Sequence, residues 1–181
     1  QQVTICIMDI QWVLKEFDEL TPAELYGIMQ LRNEVFVVEQ NCVYQDTDNK
    51  DQLSFHFSGW MKHKLVAYTR ILPAGIAFKA VSIGRVVTSP GIRRSGIGKE
   101  LMVRSIEQVN KLSGKVPIRI GAQLYLKNFY SSLGFQQCSD MFVNSINIFY
   151  NMFHRPERKL RSLIDRAKSA AVPWAISCHP D

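Results

Sequence analysis

The chain reads as an α/β (α+β) domain, a sheet flanked by helices, and three observations carry that reading. Short apolar runs with strand composition recur along the sequence and are interrupted by stretches of helical spacing. Two of the runs, 53–61 and 64–72, are joined by a turn too short for anything but an antiparallel pair. A third, 79–88, leads into a glycine-rich turn and then an amphipathic helix. At 181 residues and 46% hydrophobic content the chain is long enough to bury one real core.

Taken in order, "VTICIM" alternates Val3, Ile5 and Ile7 and is expected to be an extra edge strand, with "WVLKEF" (12–17) a second strand. "TPAELYGIMQLRNEVF" opens with a helix-start signature: Thr21 as N-cap, Pro22 in the first turn and Glu24 to close a capping box. Leu25, Ile28, Met29, Val35 and Phe36 form its apolar stripe. Arg32 lies on that stripe. Either its stem packs and its head snorkels to water, or it points into a functional cleft. The pair 53–61 and 64–72 follows, and then 79–88, apolar enough to be central. Gly84 inside it marks a bulge or a close ligand approach.

The turn 91–100, "GIRRSGIGKE", precedes a helix carrying Leu101, Met102, Ile106, Val109 and Leu112 and ended by Gly114. A strand at 116–122, a short helix at 124–134 and a final strand pair, "FQQCSDMFV" with "INIFYNMF", complete the domain over 1–154. Residues 155–181 form a basic extension with an apolar helical face of Leu160, Leu163, Ile164 and Ala167. Three roles stay open for it: docking on the domain, covering a homodimer interface, or binding a partner.

The first backbone N–H groups of a helix have no intrahelical acceptor, so the 91–100 turn is half of an anion site. Gly96 and Gly98 leave the backbone approachable, and Arg93, Arg94 and Lys99 add positive charge. The familiar nucleotide loops do not fit. Arg93 and Glu100 stand where a P-loop needs Gly and Ser or Thr, and Leu101 replaces the third glycine of a dinucleotide fingerprint. On these residues alone a phosphate cradle and a solvated turn are both open.

Composition excludes other classes. The net charge of +6 suggests nucleic acid, yet half of it lies in 155–181 and no nucleic-acid-binding motif accompanies it. No apolar run is long enough to span a membrane, and "QQVTICIMDI" lacks signal-peptide features, so a cytoplasmic protein is expected. Cys6, Cys42, Cys138 and Cys178 are scattered without a C-x-x-C, which speaks against zinc and against a disulfide framework. "DTDNKD" (46–51) lacks the glycine and glutamate of a calcium loop, so no metal is expected.

The order strand, Arg93-x-x-Gly96-x-Gly98 turn, helix, strand, and short helix closing on "FYSSLGF" resembles the core of the GNAT acyltransferase superfamily. More narrowly, "FDELTPAELYGIMQLRNEVFVVEQNCVYQDTDNKD", "AYTRILPAG", "SIGRVV" and "FYSSLGF" resemble its ElaA-type branch, over roughly residues 12–143. The resemblance implies a mixed, mostly antiparallel sheet splayed at a central bulged strand, with acetyl-CoA in the split. It implies that the turn Arg93, Arg94, Ser95, Gly96, Ile97, Gly98 and Lys99 holds the pyrophosphate. It also implies that Gly84, Arg85, Val86 and Val87 bond the pantetheine, with an N–H facing the thioester oxygen. The activity implied is direct attack of a small-molecule or peptidyl amine on the thioester, and Tyr130 holds the family position that protonates the leaving thiolate.

Amine attack also requires a deprotonated nitrogen. Glu34, Glu39, Asp46, Asp48 and Asp51 concentrate negative charge in an otherwise basic chain. That patch either attracts a cationic amine or is a solvated loop. Glu39 and His56 are the candidate bases or relays, and Arg32, Asp46 and Asp48 the candidate acceptor contacts. The sequence departs from the ElaA pattern near the end: "NSINIFYNM" lacks an Ile-Pro-His stretch and sets Phe149 where the histidine is expected, with His154 a shifted substitute. Two alternatives stay open: an acyl-homoserine-lactone-synthase-like enzyme and a non-catalytic CoA-binding regulator.

Overall fold

A computed structural model describes residues 9–144 and 147–156. The expected strand at 3–7 and the extension beyond 156 lie outside the described residues, as do Cys6 and Cys178. Cys42 is buried and Cys138 half-buried.

Among the described residues eight strands form one sheet: β1 (Gln11–Glu16), β2 (Phe55–Met61), β3 (Lys64–Leu72), β4 (Val81–Thr88), β5 (Ile118–Gln123), β6 (Phe135–Gln137), β7 (Phe142–Asn144) and β8 (Asn147–His154). The spatial order is β1-β2-β3-β4-β5-β8-β6, with β7 also against β8. Every pairing is antiparallel except β4 with β5. The mostly antiparallel sheet expected from the sequence is what forms.

The first helix, α1 (Pro22–Arg32), begins as its residues dictate. The Thr21 hydroxyl accepts from the Glu24 N–H, and the Glu24 carboxylate accepts from the Thr21 N–H at 2.8 Å. Lys15 Nζ, 2.8 Å from the same carboxylate, ties the helix start to β1. Beyond Arg32 the chain widens into a π-helical segment, Asn33–Glu39, which the 3.6-residue spacing does not reveal. Ile28, Leu31 and Val35 pack on Leu65, Tyr68 and Val87 of the sheet. A second helix, α2 (Ile97–Ser113), packs Leu101, Met102 and Val109 into the main core with Val66, Ile71, Ile83 and Ile120. The helix expected at 124–134 is a 3₁₀ turn, Leu124–Leu126, followed by a short α3 (Lys127–Ser131).

The last strand pair also differs. "FQQCSDMFV" is not one strand: β6 and β7 lie against opposite ends of β8, with Cys138–Met141 looping between them. Ser139 Oγ accepts from the Asn151 N–H at 2.9 Å, and the Cys138 N–H donates to the Asn151 carbonyl at 2.9 Å. The chain thus leaves the ladder without leaving those backbone groups unpaired.

β4 is where the sheet opens. Tyr68 faces Val87 and Arg70 faces Gly84, so Thr69 alone stands opposite Arg85 and Val86, the count of a β-bulge. The left-handed backbone belongs to Arg85, at φ 51°, and not to Gly84. The expectation of a bulge at Gly84 is therefore shifted by one residue. On its other side β4 pairs with β5 only at Val81 and Ser82. From Ile83 onward the two strands part, and the edge of β4 faces a cleft.

Candidate active site

The cleft occupies about 500 Å³ between the parted strands. Ile83 to Thr88 of β4 form one wall, and Ile120, Gly121 and Gln123 of β5 the other. Phe36 and Glu39 of the π-helical segment also line it, with Gln40, Cys42 and Tyr44 from the stretch that follows. Gln40 and Gln123 meet through a 3.0 Å hydrogen bond, joining residues far apart in sequence. Arg93, beside Glu39, and Gly98 bring in the start of α2.

That helix start is shaped by two left-handed residues, Arg94 at φ 63° and Gly96 at φ 89°. Gly96 is the N-cap. The Lys99 and Glu100 N–H groups turn back onto its carbonyl, at 3.0 and 3.1 Å. The preceding N–H groups have no acceptor within the helix. A Cβ at Gly96 would meet nothing within 4 Å, so the glycine answers to backbone conformation and not to crowding. Ser95 Oγ donates to the Ile92 carbonyl at 2.5 Å and pins the turn, while the Ile97 side chain is buried in the core. Arg94 and Lys99 are exposed beside the helix start.

Tyr130 of α3 lines the cleft and is 5% exposed. Its ring meets Phe129 and Phe135 edge to face, at 5.0 and 5.9 Å between centroids. Burial pushes its phenol well above the usual range, so it stays protonated at neutral pH. A buried neutral phenol can give a proton or a hydrogen bond to a forming anion.

Several expected acceptor-side residues lie elsewhere. Arg32 is fully buried and neither snorkels nor faces the cleft. Its Nε lies 2.6 Å from Asp46 Oδ2 and its Nη1 2.7 Å from Asp51 Oδ1. Arg70 takes Asp48 through both nitrogens, at 2.6 and 2.8 Å, and also reaches Asp51 at 2.9 Å. Arg85 Nε, 2.6 Å from Asp46 Oδ1, links the bulge of β4 to the same set, with Asp48 at 3.3 Å. Three aspartates and three arginines thus alternate in one connected network. The expectation that Asp46 and Asp48 present a negative patch to an amine is corrected, because arginines already neutralise them. Burial works to raise the Asp48 and Asp51 carboxyls, but hydrogen bonds from Arg70 and Arg32 outweigh it and hold both below the ordinary range.

His56 is equally out of reach. It is fully buried, with Nε2 3.0 Å from the Asp51 carbonyl and Nδ1 2.8 Å from the Tyr68 hydroxyl. Nε2 therefore carries the proton and Nδ1 accepts from Tyr68. Burial lowers its basicity further. It braces the network and does not line the cleft, so its assignment as a base is corrected. Glu39 does line the cleft, but both its oxygens accept from Arg93, at 2.6 and 2.7 Å, and that contact lowers its pKa. His154 packs on Phe135 at the far end of β8, opposite Ile118, whereas Phe149, opposite Gln123, reaches the cleft.

Gly84, Arg85, Val86, Val87, Arg93, Gly98, Glu39 and Tyr130 are thus brought to one cavity. Sequence reasoning missed Gln40, Tyr44, Gln123 and Tyr125 there. Tyr44, inside the acidic segment, was the residue whose neighbours could have drawn attention.

Residues 18–154 match the acetyltransferase (GNAT) domain family. The protein ElaA of Escherichia coli (strain K12) is 40% identical over 135 residues, which span 74% of this chain and 88% of ElaA. Its crystal structure superposes with a TM-score of 0.77 at 37% identity, covering 81% of this chain and all of that one. An acyl-CoA N-acyltransferase from Pseudomonas aeruginosa gives a TM-score of 0.78 at 34% identity, over 81% of this chain and 99% of that one. An aminoglycoside 6'-N-acetyltransferase complexed with coenzyme A shares the fold, with a TM-score of 0.61 at 16% identity over 81% of this chain and 99% of its own.

Proposed function

The chain belongs to the GNAT acetyltransferase family, in its ElaA type, and from that premise we propose that it transfers an acetyl group from acetyl-CoA to a primary amine. The observation that carries the proposal is the parting of β4 from β5 between the start of α2 and the phenol of Tyr130. The turn from Arg93 to Lys99 supplies N–H groups for the CoA diphosphate, and Arg94 and Lys99 add positive charge, Arg93 being held by Glu39. The free edge of β4, Gly84 to Val87, supplies backbone groups for the pantetheine amides, and one of its N–H groups polarises the thioester carbonyl.

Both substrates are bound together. The amine nitrogen forms its bond to the acetyl carbon, the carbon–sulfur bond breaks, and Tyr130 gives its proton to the departing sulfur. The proton lost by the nitrogen passes to solvent and restores the phenol. Metal chemistry plays no part in this scheme. A small molecule and a peptide terminus both fit the amine class, and a cytoplasmic enzyme goes with the reading.

The test is titration calorimetry of acetyl-CoA with thiol release on adding amines. Gly96→Val forces a β-branched residue into a left-handed turn, so it should abolish acetyl-CoA binding while circular dichroism stays that of the wild type. Unchanged affinity in that variant would overturn the placement of the diphosphate, and absence of thiol release with every amine would overturn the activity.

A further inference from the structure

Each charged side chain among the described lining residues already has an ion-pair partner. Glu39 is held through both oxygens by Arg93, and Arg85 by Asp46 and Asp48. The other ionisable groups among the described lining residues are the Cys42 thiol and the phenols of Tyr44, Tyr125 and Tyr130. Burial and the neighbouring Asp46 push the Tyr44 phenol up to about 12, and burial also raises Tyr125, so neither is a base at neutral pH. Among those residues there is no histidine. Beside the Gln40–Gln123 amide pair, this part of the lining is aromatic: Phe36, Phe129 and Phe149, with Tyr44 half-open and Tyr125 70% exposed.

From these features we infer that the acceptor is a weakly basic primary amine on an aromatic body, such as the α-amino group of an aromatic residue. The inference rests on the acetyltransferase reading above and narrows its substrate. An ammonium group cannot attack, and among the described residues this cleft offers neither a free carboxylate to hold one nor a free base to deprotonate it. The acceptor must therefore arrive with its nitrogen neutral. An α-amino group titrates near ~8 and an alkylamine of the lysine type near ~10.4. At about pH 7 roughly one α-amino group in ten is neutral, against roughly one alkylamine in 2,500, a difference of about 200-fold. Phe129, Phe149 and Tyr44 line the cleft with aromatic surface that suits an aromatic body, and a polyamine would leave its charges unpaired there.

The experiment compares four amines with saturating acetyl-CoA, using the full chain and reading thiol release: phenylalanine amide, alanine amide, 2-phenylethylamine and spermidine. At neutral pH phenylalanine amide should give a kcat/KM at least about tenfold above each of the others, after allowance for its weaker nucleophilicity. For 2-phenylethylamine, log kcat/KM should rise with pH at unit slope, following its free-base fraction. Tyr125→Ala, at an exposed rim position, should raise KM for phenylalanine amide severalfold and leave acetyl-CoA affinity unchanged. Alanine amide reacting equally well would overturn the aromatic part of the inference. Spermidine or 2-phenylethylamine reacting equally well would overturn the weakly basic part, the transferase reading standing in both cases. No thiol release with any amine, despite bound acetyl-CoA, would overturn that reading and the inference with it.

Discussion

Asp51 offers the sharpest test of the network behind the cleft. Its Oδ1 accepts from Arg32 at 2.7 Å and from Arg70 at 2.9 Å, and the residue is 4% exposed. Asp51→Asn keeps the shape and an accepting oxygen but removes one of three negative charges facing three arginines. Breaking a buried pair by removing one partner costs about 3–5 kcal/mol, because the remaining charge stays buried without its counter-charge. The amide oxygen still accepts hydrogen bonds and Asp48 is partly open to water, so the lower end, about 3 kcal/mol, applies. That is a large part of the ~5–15 kcal/mol that holds a domain folded. With an m-value of about 2 kcal/mol per molar urea, the midpoint should fall by about 1.5 M. Arg32→Met added to Asp51→Asn restores the charge balance, so the double variant should lie at least about 1 kcal/mol above the sum of the single losses. A midpoint shift below about 0.5 M, or strict additivity, would place the network with exposed ion pairs worth under about 1 kcal/mol and refute the reasoning.

Gly98→Ala should stabilise α2 by up to about 1 kcal/mol, since the new Cβ would meet only Thr88 Cγ2 at 4.0 Å; calorimetry should nonetheless show weaker acetyl-CoA binding, because Gly98 lines the cleft. Thr21→Ala removes the cap of α1 and should lower stability by about 1 kcal/mol in urea titrations, with acetyl-CoA affinity intact. Burial holds His56 and His154 below their ordinary 6.5, so the folded chain binds fewer protons there than the unfolded one. Their contribution is complete above about pH 6.5 and is lost as pH falls toward their folded values. The lowered Asp48 and Asp51 add a second loss below about pH 3.8. Urea midpoints measured downward from neutral pH should begin to fall near 6.5, and an equal fall in a His56→Gln, His154→Gln double variant would contradict this.

Periodicity and caps made most of the fold legible. Thr21, Pro22 and Glu24 announce α1, Gly96 and Gly114 bracket α2, and β1 to β5 fall within a few residues of their apolar runs. The π-helical segment after Arg32 and the break between β6 and β7 were not legible, because both depend on what the chain packs against. Of the residues expected in the site, Gly84 to Val87 of the strand and Arg93 and Gly98 of the turn line the cleft, each set contiguous in one motif. The charges could not be read in this way. Asp46, Asp48 and Asp51 look like a patch in one dimension, and only folding brings Arg32, Arg70 and Arg85 onto them. Arg32 on an apolar stripe was the one local sign that a buried carboxylate awaited it. Phe149 was noticed as a departure from the ElaA pattern, and it is one of the aromatic residues that line the cleft.

Tyr130→Phe tests the central claim most directly. The substitution keeps the ring against Phe129 and Phe135 and removes only the hydroxyl. With phenylalanine amide and saturating acetyl-CoA, turnover read as thiol release should fall by about 10²-fold, the lower end for a positioned acid, while acetyl-CoA affinity stays unchanged. Equal turnover in the variant and the wild type would contradict the account, leaving Tyr130 as a core aromatic and the cleft without its acid.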